Sequence, residues 1–313
     1  MKIKLALVIP CFNEELSIES TIKSLNALII SLIYNKKISN DSIIMFVDDG
    51  SHDNSWLVLS RIAKTNKRVH AIKLARNYGH QNALLAGLYE SSNYDAIISL
   101  DADLQDDISI IPEMIDKASS GSDIVYGVRK KREGDSFFKK ISAESYYKLM
   151  KFFGVNLLYN HADYRLMTKK SLNALLQHKE RNLFLRGMVA YLGFNTSIIY
   201  YDRLDRLKGE TKYSLLKMIS LGWQGITSFS LAPLRIVITL GFFVSLLSLI
   251  LILWVLWTFF VEGAFVPGWA STLIPILFIG GIQILSIGVL GEYIGKIYIE
   301  TKNRPNFIIS EKL

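Results

Sequence analysis

Short apolar runs alternate with helical patterns along the first two-thirds of this 313-residue chain. Between the first two runs, apolar residues recur at helical spacing from Ile18 to Ile29, which predicts a helix that begins near Ser17. Strands and helices that alternate in this way predict an α/β fold, with a mostly parallel sheet covered by helices on both faces. The runs that predict strands are Ile3–Ile9, Ser42–Val47, Val69–Leu74, Ala96–Leu100 and Ile124–Val128.

Polar or charged clusters follow four of the predicted strands. They are Asn13-Glu14-Glu15, Asp48-Asp49, Arg76-Asn77 and Asp101–Asp107. Ligands of parallel sheets bind beyond the carboxyl ends of the strands, so we expect these clusters to form one site. The alternative for the acidic stretch after the fourth strand is a turn exposed to water.

The first strand is not followed by G-x-G-x-x-G, and the chain has no Walker lysine loop, so a glycine-cradled pyrophosphate is not expected. A divalent cation could instead join a diphosphate to carboxylates, because Mg²⁺ takes one or two carboxylates together with substrate phosphates. Asp101 and Asp103 point the same way if the extended geometry of the strand continues through them. The sequence therefore predicts a divalent-metal site at this edge.

Two long stretches near the C-terminus contain no charged residue, Ile236 to Val261 and Gly263 to Gly291. About 20 apolar residues suffice to cross a bilayer, so we predict transmembrane helices at residues 234–261 and 268–292. The alternative is two buried helices of a soluble protein. Arg235 precedes the first stretch and Lys296 follows the second, whereas only Glu262 lies between them, so both ends are expected in the cytoplasm.

The remaining domain boundaries follow from these spans. Residues 1–212 are predicted to form a cytoplasmic catalytic domain, and residues 293–313 a cytoplasmic tail. Residues 213–233 are predicted to form an interfacial helix, since the stretches Ser145–Phe153 and Tyr213–Phe229 mix aromatic and aliphatic residues with lysines. Packed core helices have a similar composition, which is the alternative for both stretches.

The net charge of +8 is compatible with nucleic acid or with an anionic membrane surface as a partner. Because the basic residues gather near the predicted spans, the lipid bilayer is the simpler partner, and no nucleic acid is expected. One cysteine, Cys11, excludes an internal disulfide and fits a reducing compartment.

Four motifs resemble, in order and spacing, the inverting family 2 glycosyltransferases of the GT-A fold. They are VIPCFNEE, VDDGSHDNS, LARNYGHQNALLAGL and DADLQDD. Later stretches are similar to bacterial polyisoprenyl-phosphate glycosyltransferases, especially the bactoprenol glucosyltransferases of O-antigen modification. These stretches are ADYRLM, ERNLFLRGM, GITSFSLAPLRI and GGIQILSIGVLGEYIGKIYIETKNRPNFII. The resemblance covers nearly the whole chain.

The resemblance implies roles for the residues that match the family motifs. A metal ion, Mg²⁺ or Mn²⁺, would be held by Asp101, Asp103 and Gln105. The implied catalytic residues are Asp103, Asp163 and Arg165; Asp163 could act as a base, as a positioning group, or as half of a structural pair with Arg165. The residues implied to bind the nucleotide sugar are Pro10, Phe12, Asn13, Glu15, Asp48, Asp49, Arg76, Asn77, Asp101 and Gln105.

A phosphate acceptor needs cations rather than a base, because a phosphate monoester is already charged near pH 7. Two basic runs could supply them, and the candidates are Arg129, Lys140, Arg206 and Lys212. The alternative for each run is a solvated surface that faces the membrane.

The resemblance implies transfer of a hexose, with glucose from UDP-glucose as the first choice, to undecaprenyl phosphate on the cytoplasmic leaflet of a bacterial cytoplasmic (inner) membrane. The product would serve O-antigen or another envelope glycan. Alternatives are GDP-mannose or a UDP-aminosugar as donor, a processive polysaccharide synthase, and a non-catalytic nucleotide-sugar sensor or membrane scaffold. The resemblance also suggests a homo-oligomer, with a tetramer as one form.

Overall fold

The structure is a computed structural model that describes residues 2–130, 161–202, 226–228, 230–257, 260–261 and 268–313. The predicted interfacial stretch at 145–153 and most of the one at 213–229 lie outside the described residues, as do Lys140, Arg206 and Lys212. The strands are β1 (Leu5–Cys11), β2 (Ile43–Asp48), β3 (Val69–Leu74), β4 (Ala96–Ser99), β5 (Ile124–Arg129), β6 (His161–Thr168), β7 (Thr196–Tyr201) and β8 (Ile309–Lys312). The helices are α1 (Ile18–Tyr34), α2 (Ser55–Thr65), α3 (His80–Glu90), α4 (Ile111–Ser119), α5 (Lys169–Gln177), α6 (Leu185–Tyr191), α7 (Ala232–Trp257) and α8 (Trp269–Lys302).

The strands form one mixed sheet in the order β7-β5-β6-β4-β1-β2-β3-β8. Strand β1 pairs in parallel with β2 and β4, and β2 pairs in parallel with β3. The four strands whose polar ends predicted a common site are therefore neighbours with their carboxyl ends at one edge, as expected. The predicted α/β architecture with a mostly parallel sheet is confirmed.

Helices cover both faces of the sheet, and strand β1 shows why its sequence is apolar throughout. Leu5, Leu7 and Ile9 pack in one core with helices α1, α2 and α4. Ala6 and Val8 pack in a second core with helices α3, α5 and α6. Because successive strand residues point to opposite faces, a strand covered on both sides needs apolar residues at every position.

Strand β6 is antiparallel to both of its neighbours, β4 and β5, and was not predicted. In this register Ser99, the last residue of β4, faces Arg165. Since β6 runs in the opposite direction, its first residues lie at the carboxyl edge of β4. This reversal brings Asp163 to the residues that follow β4, including Asp101.

The two long apolar helices are exposed along their candidate membrane windows. Ala232–Leu251 spans 20 residues with a mean hydropathy of 2.4, and Phe278–Lys302 spans 25 residues with a mean hydropathy of 1.4. Both are long and apolar enough to cross a membrane by length and composition. Helix α8 continues ten residues beyond the predicted end at 292, to Lys302.

The C-terminal strand β8 was also not predicted. It pairs antiparallel with β3, with Lys73 opposite Glu311. After the second apolar helix, the chain therefore returns to the edge of the eight-stranded sheet.

Helix α3 packs so closely on the sheet that Gly87 admits no side chain. A Cβ atom there would lie 2.8 Å from Cγ2 of Val47 and closer still to Cγ1 of Val8. We predict that Gly87→Ala lowers the free energy of unfolding by about 1–3 kcal/mol, as overpacked core positions do. Thermal unfolding of the detergent-solubilised chain, followed by tryptophan fluorescence, measures the loss. Gly295→Ala is the matched control, because a Cβ there meets nothing within 4 Å; equal stability of the two variants would contradict this packing.

Candidate active site

The ends of β1 and β2 are joined by hydrogen bonds of Asn13, a predicted nucleotide-sugar residue. Its backbone N–H donates to Ser51 Oγ at 2.9 Å, and its Oδ1 accepts from the backbone N–H of His52 at 2.9 Å. Asn13 has a φ of 54°, a left-handed conformation that asparagine tolerates better than most residues. Asparagine therefore suits this position both because it tolerates the left-handed backbone conformation and because its side chain accepts the hydrogen bond from His52.

Other predicted nucleotide-sugar residues lie beside Asn13. Glu15 accepts a hydrogen bond from the backbone N–H of Asn54 at 3.0 Å. The ring of Phe12 meets His52 edge-on, with 6.0 Å between ring centroids, and Pro10 is buried within β1. These residues form one wall of the candidate site.

Asp49 holds the loop that leads into α3. Its carboxylate accepts from the backbone N–H groups of Tyr78 at 2.7 Å and Gly79 at 2.9 Å. Burial raises the pKa of Asp49, and these two hydrogen bonds only partly offset the rise. The carboxylate thus fixes the start of the helix that carries His80.

Asp48 has a buried carboxylate oxygen without a hydrogen-bond partner among the described residues. The residue is fully buried, and its Oδ1 accepts from the backbone N–H of Ser51 at 3.3 Å. Its Oδ2 is buried and makes no hydrogen bond with the described residues. Burial raises the pKa of Asp48, and an N–H donor from a ligand would stabilise its charge.

Arg76 and Asn77 occupy the loop after β3. The guanidinium of Arg76 lies 4.7 Å from the ring centroid of Tyr78, and Asn77 Oδ1 accepts from the backbone N–H of Gly79 at 3.0 Å. Both side chains are exposed at the same edge as Asn13 and Asp49.

The extended geometry assumed for Asp101 and Asp103 is wrong. The chain turns at residues 102–103, and Leu104 has a φ of 51°. Asp103 Oδ1 accepts from the backbone N–H of Gln105 at 3.2 Å, which closes a tight turn. Asp101 and Asp103 therefore belong to a turn, and simple strand alternation does not describe their directions.

The surroundings of Asp101 raise the pKa of its carboxyl group. Burial raises its pKa to about 6; His80 opposes the rise, while the charges of Asp106, Asp163 and Asp103 add to it. A nearby cation would stabilise the ionised form of this carboxylate.

Asp163 forms the centre of a charged cluster that sequence reasoning only partly anticipated. Arg186 donates to it through both Nε, 3.2 Å from Oδ1, and Nη2, 3.1 Å from Oδ2. His80 Nε2 lies 3.5 Å from Asp163 Oδ2 and 3.9 Å from Asp101 Oδ1. Burial opposes the charge of Asp163, but Arg186, His80 and Arg165 outweigh it and hold the pKa of this carboxyl well below its usual range.

His80 and Arg186 were not predicted as site residues. Burial alone lowers the pKa of His80, but Asp163 and Asp101 outweigh that effect and raise it above the ordinary value. Both residues stand in the quoted motifs LARNYGHQNALLAGL and ERNLFLRGM, so the signal was present in the sequence. Their meeting at Asp163 depends on the fold.

Arg165, predicted as catalytic, is buried in the sheet behind Asp163. Its side chain is 1% exposed, and Nη2 lies 3.6 Å from Asp163 Oδ1. The guanidinium nitrogens make no hydrogen bond with the described residues, and burial lowers the pKa of Arg165. From this buried position, the charge of Arg165 stabilises the ionised carboxylate of Asp163. Direct contact between Arg165 and a substrate stays a prediction.

Arg129, a predicted acceptor-phosphate residue, pairs with a buried carboxylate. Its Nη2 lies 2.9 Å from Asp106 Oδ1, and its Nε donates to the hydroxyl of Tyr201 at 3.2 Å. The hydroxyl of Tyr201 also donates to Asp106. The three side chains hold the loop after β4, and binding of phosphate by Arg129 stays a prediction.

Metal binding by Asp101, Asp103 and Gln105 stays a prediction. Within the described ranges, no three His, Cys, Asp or Glu side chains are grouped so that they could hold a metal without other ligands. Asp101, Asp103 and the amide of Gln105 supply oxygen ligands of the kind Mg²⁺ takes, and Mg²⁺ usually completes its shell with water and substrate phosphates.

Comparison with known proteins assigns the class. Residues 6–176 match glycosyl transferase family 2, and residues 232–297 match the GtrB C-terminal hairpin. The chain belongs to glycosyl transferase family 2.

Particular relatives match over nearly the whole chain. It is 47% identical to the uncharacterized glycosyltransferase YkoT of Bacillus subtilis, across 97% of this chain and 90% of that protein. It is 39% identical to the prophage bactoprenol glucosyl transferase homolog of Escherichia coli, across 98% of each. It is 38% identical to the bactoprenol glucosyl transferase of Shigella phage SfV, across 99% of each. A solved structure of glucosyl-3-phosphoglycerate synthase from Mycobacterium tuberculosis superposes with a TM-score of 0.45 at 16% identity, across 72% of this chain and 78% of that one.

Arg129→Met tests whether this arginine supports the fold. Removing one partner of a buried ion pair leaves the other charge unbalanced, so we predict a loss of about 3 kcal/mol in the free energy of unfolding. Lys130→Met is the control, since Lys130 pairs with Asp202 at 3.8 Å on the exposed surface and should change stability by less than about 1 kcal/mol. An Arg129→Met chain as stable as the control, with only acceptor affinity changed, would assign Arg129 to phosphate binding instead.

Proposed function

We propose that this enzyme transfers a hexose, specifically glucose from UDP-glucose, to undecaprenyl phosphate at the cytoplasmic face of a bacterial inner membrane. Relatives named bactoprenol glucosyl transferase match it from end to end, including the pair of apolar helices. The observation that carries the proposal is the meeting of Asp101 and Asp163, 62 residues apart in the chain, on either side of His80.

The donor would lie along the edge formed by the ends of β1, β2 and β4. Asp48 would belong to the nucleoside-binding part of this edge; its Oδ2 is buried and makes no hydrogen bond with the described residues. Asp101, Asp103 and Gln105 would hold Mg²⁺ or Mn²⁺. A bound cation supplies electrostatic stabilisation of the leaving diphosphate.

The acceptor phosphate carries its own nucleophilic oxygen. A phosphate monoester has a second pKa of about 6, so at neutral pH it attacks without losing a proton to the protein. An efficient general base has a pKa near the working pH, and Asp163 is held far below that. Asp163 therefore acts as a positioning group, which keeps Arg186 and His80 beside the donor edge.

Arg186 is well placed to face an anionic acceptor. The side chain of Arg186 is 43% exposed, and two of its guanidinium nitrogens donate to Asp163. Arginine presents five donors in a fixed plane, so the same group can bind Asp163 and a phosphate together. The two apolar helices would hold this edge near the lipid head groups, with basic residues on the cytoplasmic side.

A direct assay tests the proposed reaction. Purified chain, Mg²⁺ and labelled UDP-glucose should give organic-extractable label only when undecaprenyl phosphate is present, and EDTA should abolish the label. Labelled GDP-mannose or a labelled UDP-aminosugar, run in parallel, should give none. Label from one of these donors instead of UDP-glucose would overturn the sugar assignment, and no label from any donor would overturn the function.

Asp103→Asn tests the carboxylate that the metal would use. It keeps the size of the side chain and the acceptor for the backbone N–H of Gln105, but removes the charge. We expect turnover to fall by at least about 100-fold, as when one electrostatic stabiliser of a transition state is removed. Asp107→Asn is the matched control within the same motif, because Asp107 caps the next turn through Ser109. Equal activity of the two variants would contradict metal binding at Asp103.

The raised pKa of Asp101 predicts how cation affinity depends on pH. The ligand must be deprotonated, so the affinity is constant well above pH 6. It falls by up to about ten-fold for each pH unit below pH 6. Calorimetric titration of Mn²⁺ into protein saturated with UDP-glucose, between pH 7.5 and 5, measures this. A flat profile, or the same profile in Asp101→Asn, would contradict Asp101 as the titrating ligand.

A further inference from the structure

The last turn of helix α8 is bonded to the segment that leads into helix α6. The carboxylate of Glu300 accepts from the backbone N–H of Arg181 at 2.8 and 3.0 Å. It also accepts from the backbone N–H of Asn182 at 2.9 Å and from Asn182 Nδ2 at 2.9 Å. Hydrogen bonds to an ionised acceptor are stronger than neutral ones. Glu300 therefore fixes two successive peptide groups by its charge.

The side chain of Arg181 strengthens the same junction from the other direction. Its Nη1 donates to Asn306 Oδ1 at 3.2 Å, and its Nη2 donates to the backbone carbonyl and side-chain oxygen of Asn303. Asn306 Nδ2 donates in turn to the backbone carbonyl of Glu180 at 3.2 Å. The residues just beyond α8 are thus hydrogen-bonded to the segment at 180–182.

The fixed segment lies only a few residues from the charged cluster of the active site. The next three residues are all buried, which restricts movement between the fixed segment and α6. They are Leu183, Phe184 and Leu185. The first N–H of α6, from Leu185, donates to Gln81 Oε1 at 2.9 Å, and Gln81 is next to His80. Arg186, the second residue of α6, forms the two-point contact with Asp163.

The C-terminal strand gives α8 a second connection to the same region. Strand β8 pairs with β3, and Ala75 donates to the carbonyl of Ile308 at 2.9 Å. Strand β3 continues into the loop that Asp49 fixes and then into α3 with His80. The end of the second apolar helix and the residues after it are therefore bonded to the segments that precede both helices contacting Asp163, α6 and α3.

We infer that Glu300 is a positioning residue for sugar transfer, which sets Arg186 against Asp163 by fixing the start of α6 to the end of the second apolar helix. This rests on the proposed function. Because the apolar helix would be held by the bilayer, the contact places the acceptor side of the active site at a fixed height above the lipid. Its loss displaces Arg186 while leaving the donor residues on β1 and β2 in place.

The test compares steady-state transfer with donor binding in the full chain reconstituted in lipid nanodiscs. For Glu300→Ala we expect kcat to fall by about 10- to 100-fold, the range that a displacement of about 1 Å produces. The dissociation constant for UDP-glucose with Mg²⁺, measured by calorimetry, should stay within about two-fold of the wild type. Glu300→Gln, which keeps an acceptor oxygen, should recover part of kcat. Lys302→Ala is the control on the same turn, since its ammonium stacks on Tyr298 of its own helix, and it should behave as wild type.

A double substitution separates positioning from general support of the fold. If Glu300 acts through Arg186, adding Glu300→Ala to Arg186→Ala should cause little further loss of kcat. If the double variant loses kcat by the product of the two single losses, the two residues act independently and the inference is contradicted. A Glu300→Ala chain with wild-type kcat would also contradict it. Joint loss of donor binding and kcat would also contradict it, by showing a structural role.

A milder variant keeps the test valid if Glu300→Ala does not fold. Asn182→Ala removes one of the three donors and should lower kcat by a smaller factor in the same direction, whereas an unchanged kcat would contradict the inference. A wild-type chain that transfers no sugar would count against the proposed function. If the wild-type chain transfers sugar and Glu300→Ala is equally active, the positioning role of Glu300 is contradicted and the proposed function is not.

Discussion

Carboxylates crowded at one edge of the sheet repel one another, and the structure around them serves largely to offset that repulsion. Each of three has protein donors: two backbone N–H groups bind Asp49, Arg129 and Tyr201 bind Asp106, and Arg186 binds Asp163. Asp101 is the exception, with a pKa of about 6 because burial and its acidic neighbours outweigh His80. The remaining negative charge at Asp101 is what a divalent cation, shared with a diphosphate, would balance.

Under the proposed function, this electrostatic arrangement divides the site into a donor side and an acceptor side. On the donor side, negative charge from the protein and from a diphosphate can coexist only with added positive charge. On the proposed acceptor side, Arg186 and His80 already contact Asp163, whose pKa is held well below its usual range, so both would be in place before a phosphate binds. Such preorganisation matters because groups that need not reorient during the reaction stabilise the transition state most effectively.

Local patterns predicted the four adjacent parallel strands and their polar ends, because each depends on residues close together in the chain. The antiparallel strand β6 was missed, since its pairing with β4 joins residues more than 60 positions apart. The relation of His80 to Asp163 was missed for the same reason, and Arg186 contacts Asp163 across 23 positions. The extended geometry assumed at Asp101 and Asp103 was wrong because Leu104 adopts a left-handed conformation. Leucine rarely adopts this conformation, so the residue type did not predict it. Strand β8 is short and mostly exposed, so its sequence carries little of the apolar signal by which strands are recognised.

The central claim is that the edge around Asp101 is completed by a divalent cation bound to the donor diphosphate. An experimental structure of the full chain with Mn²⁺ and UDP-glucose, with data collected for the anomalous signal of manganese, tests it most directly. The account predicts one anomalous peak about 2.0–2.3 Å from a carboxylate oxygen of Asp101 or Asp103 and from diphosphate oxygens. A bound nucleotide sugar whose diphosphate lies away from both aspartates, with no manganese beside them, would contradict the account.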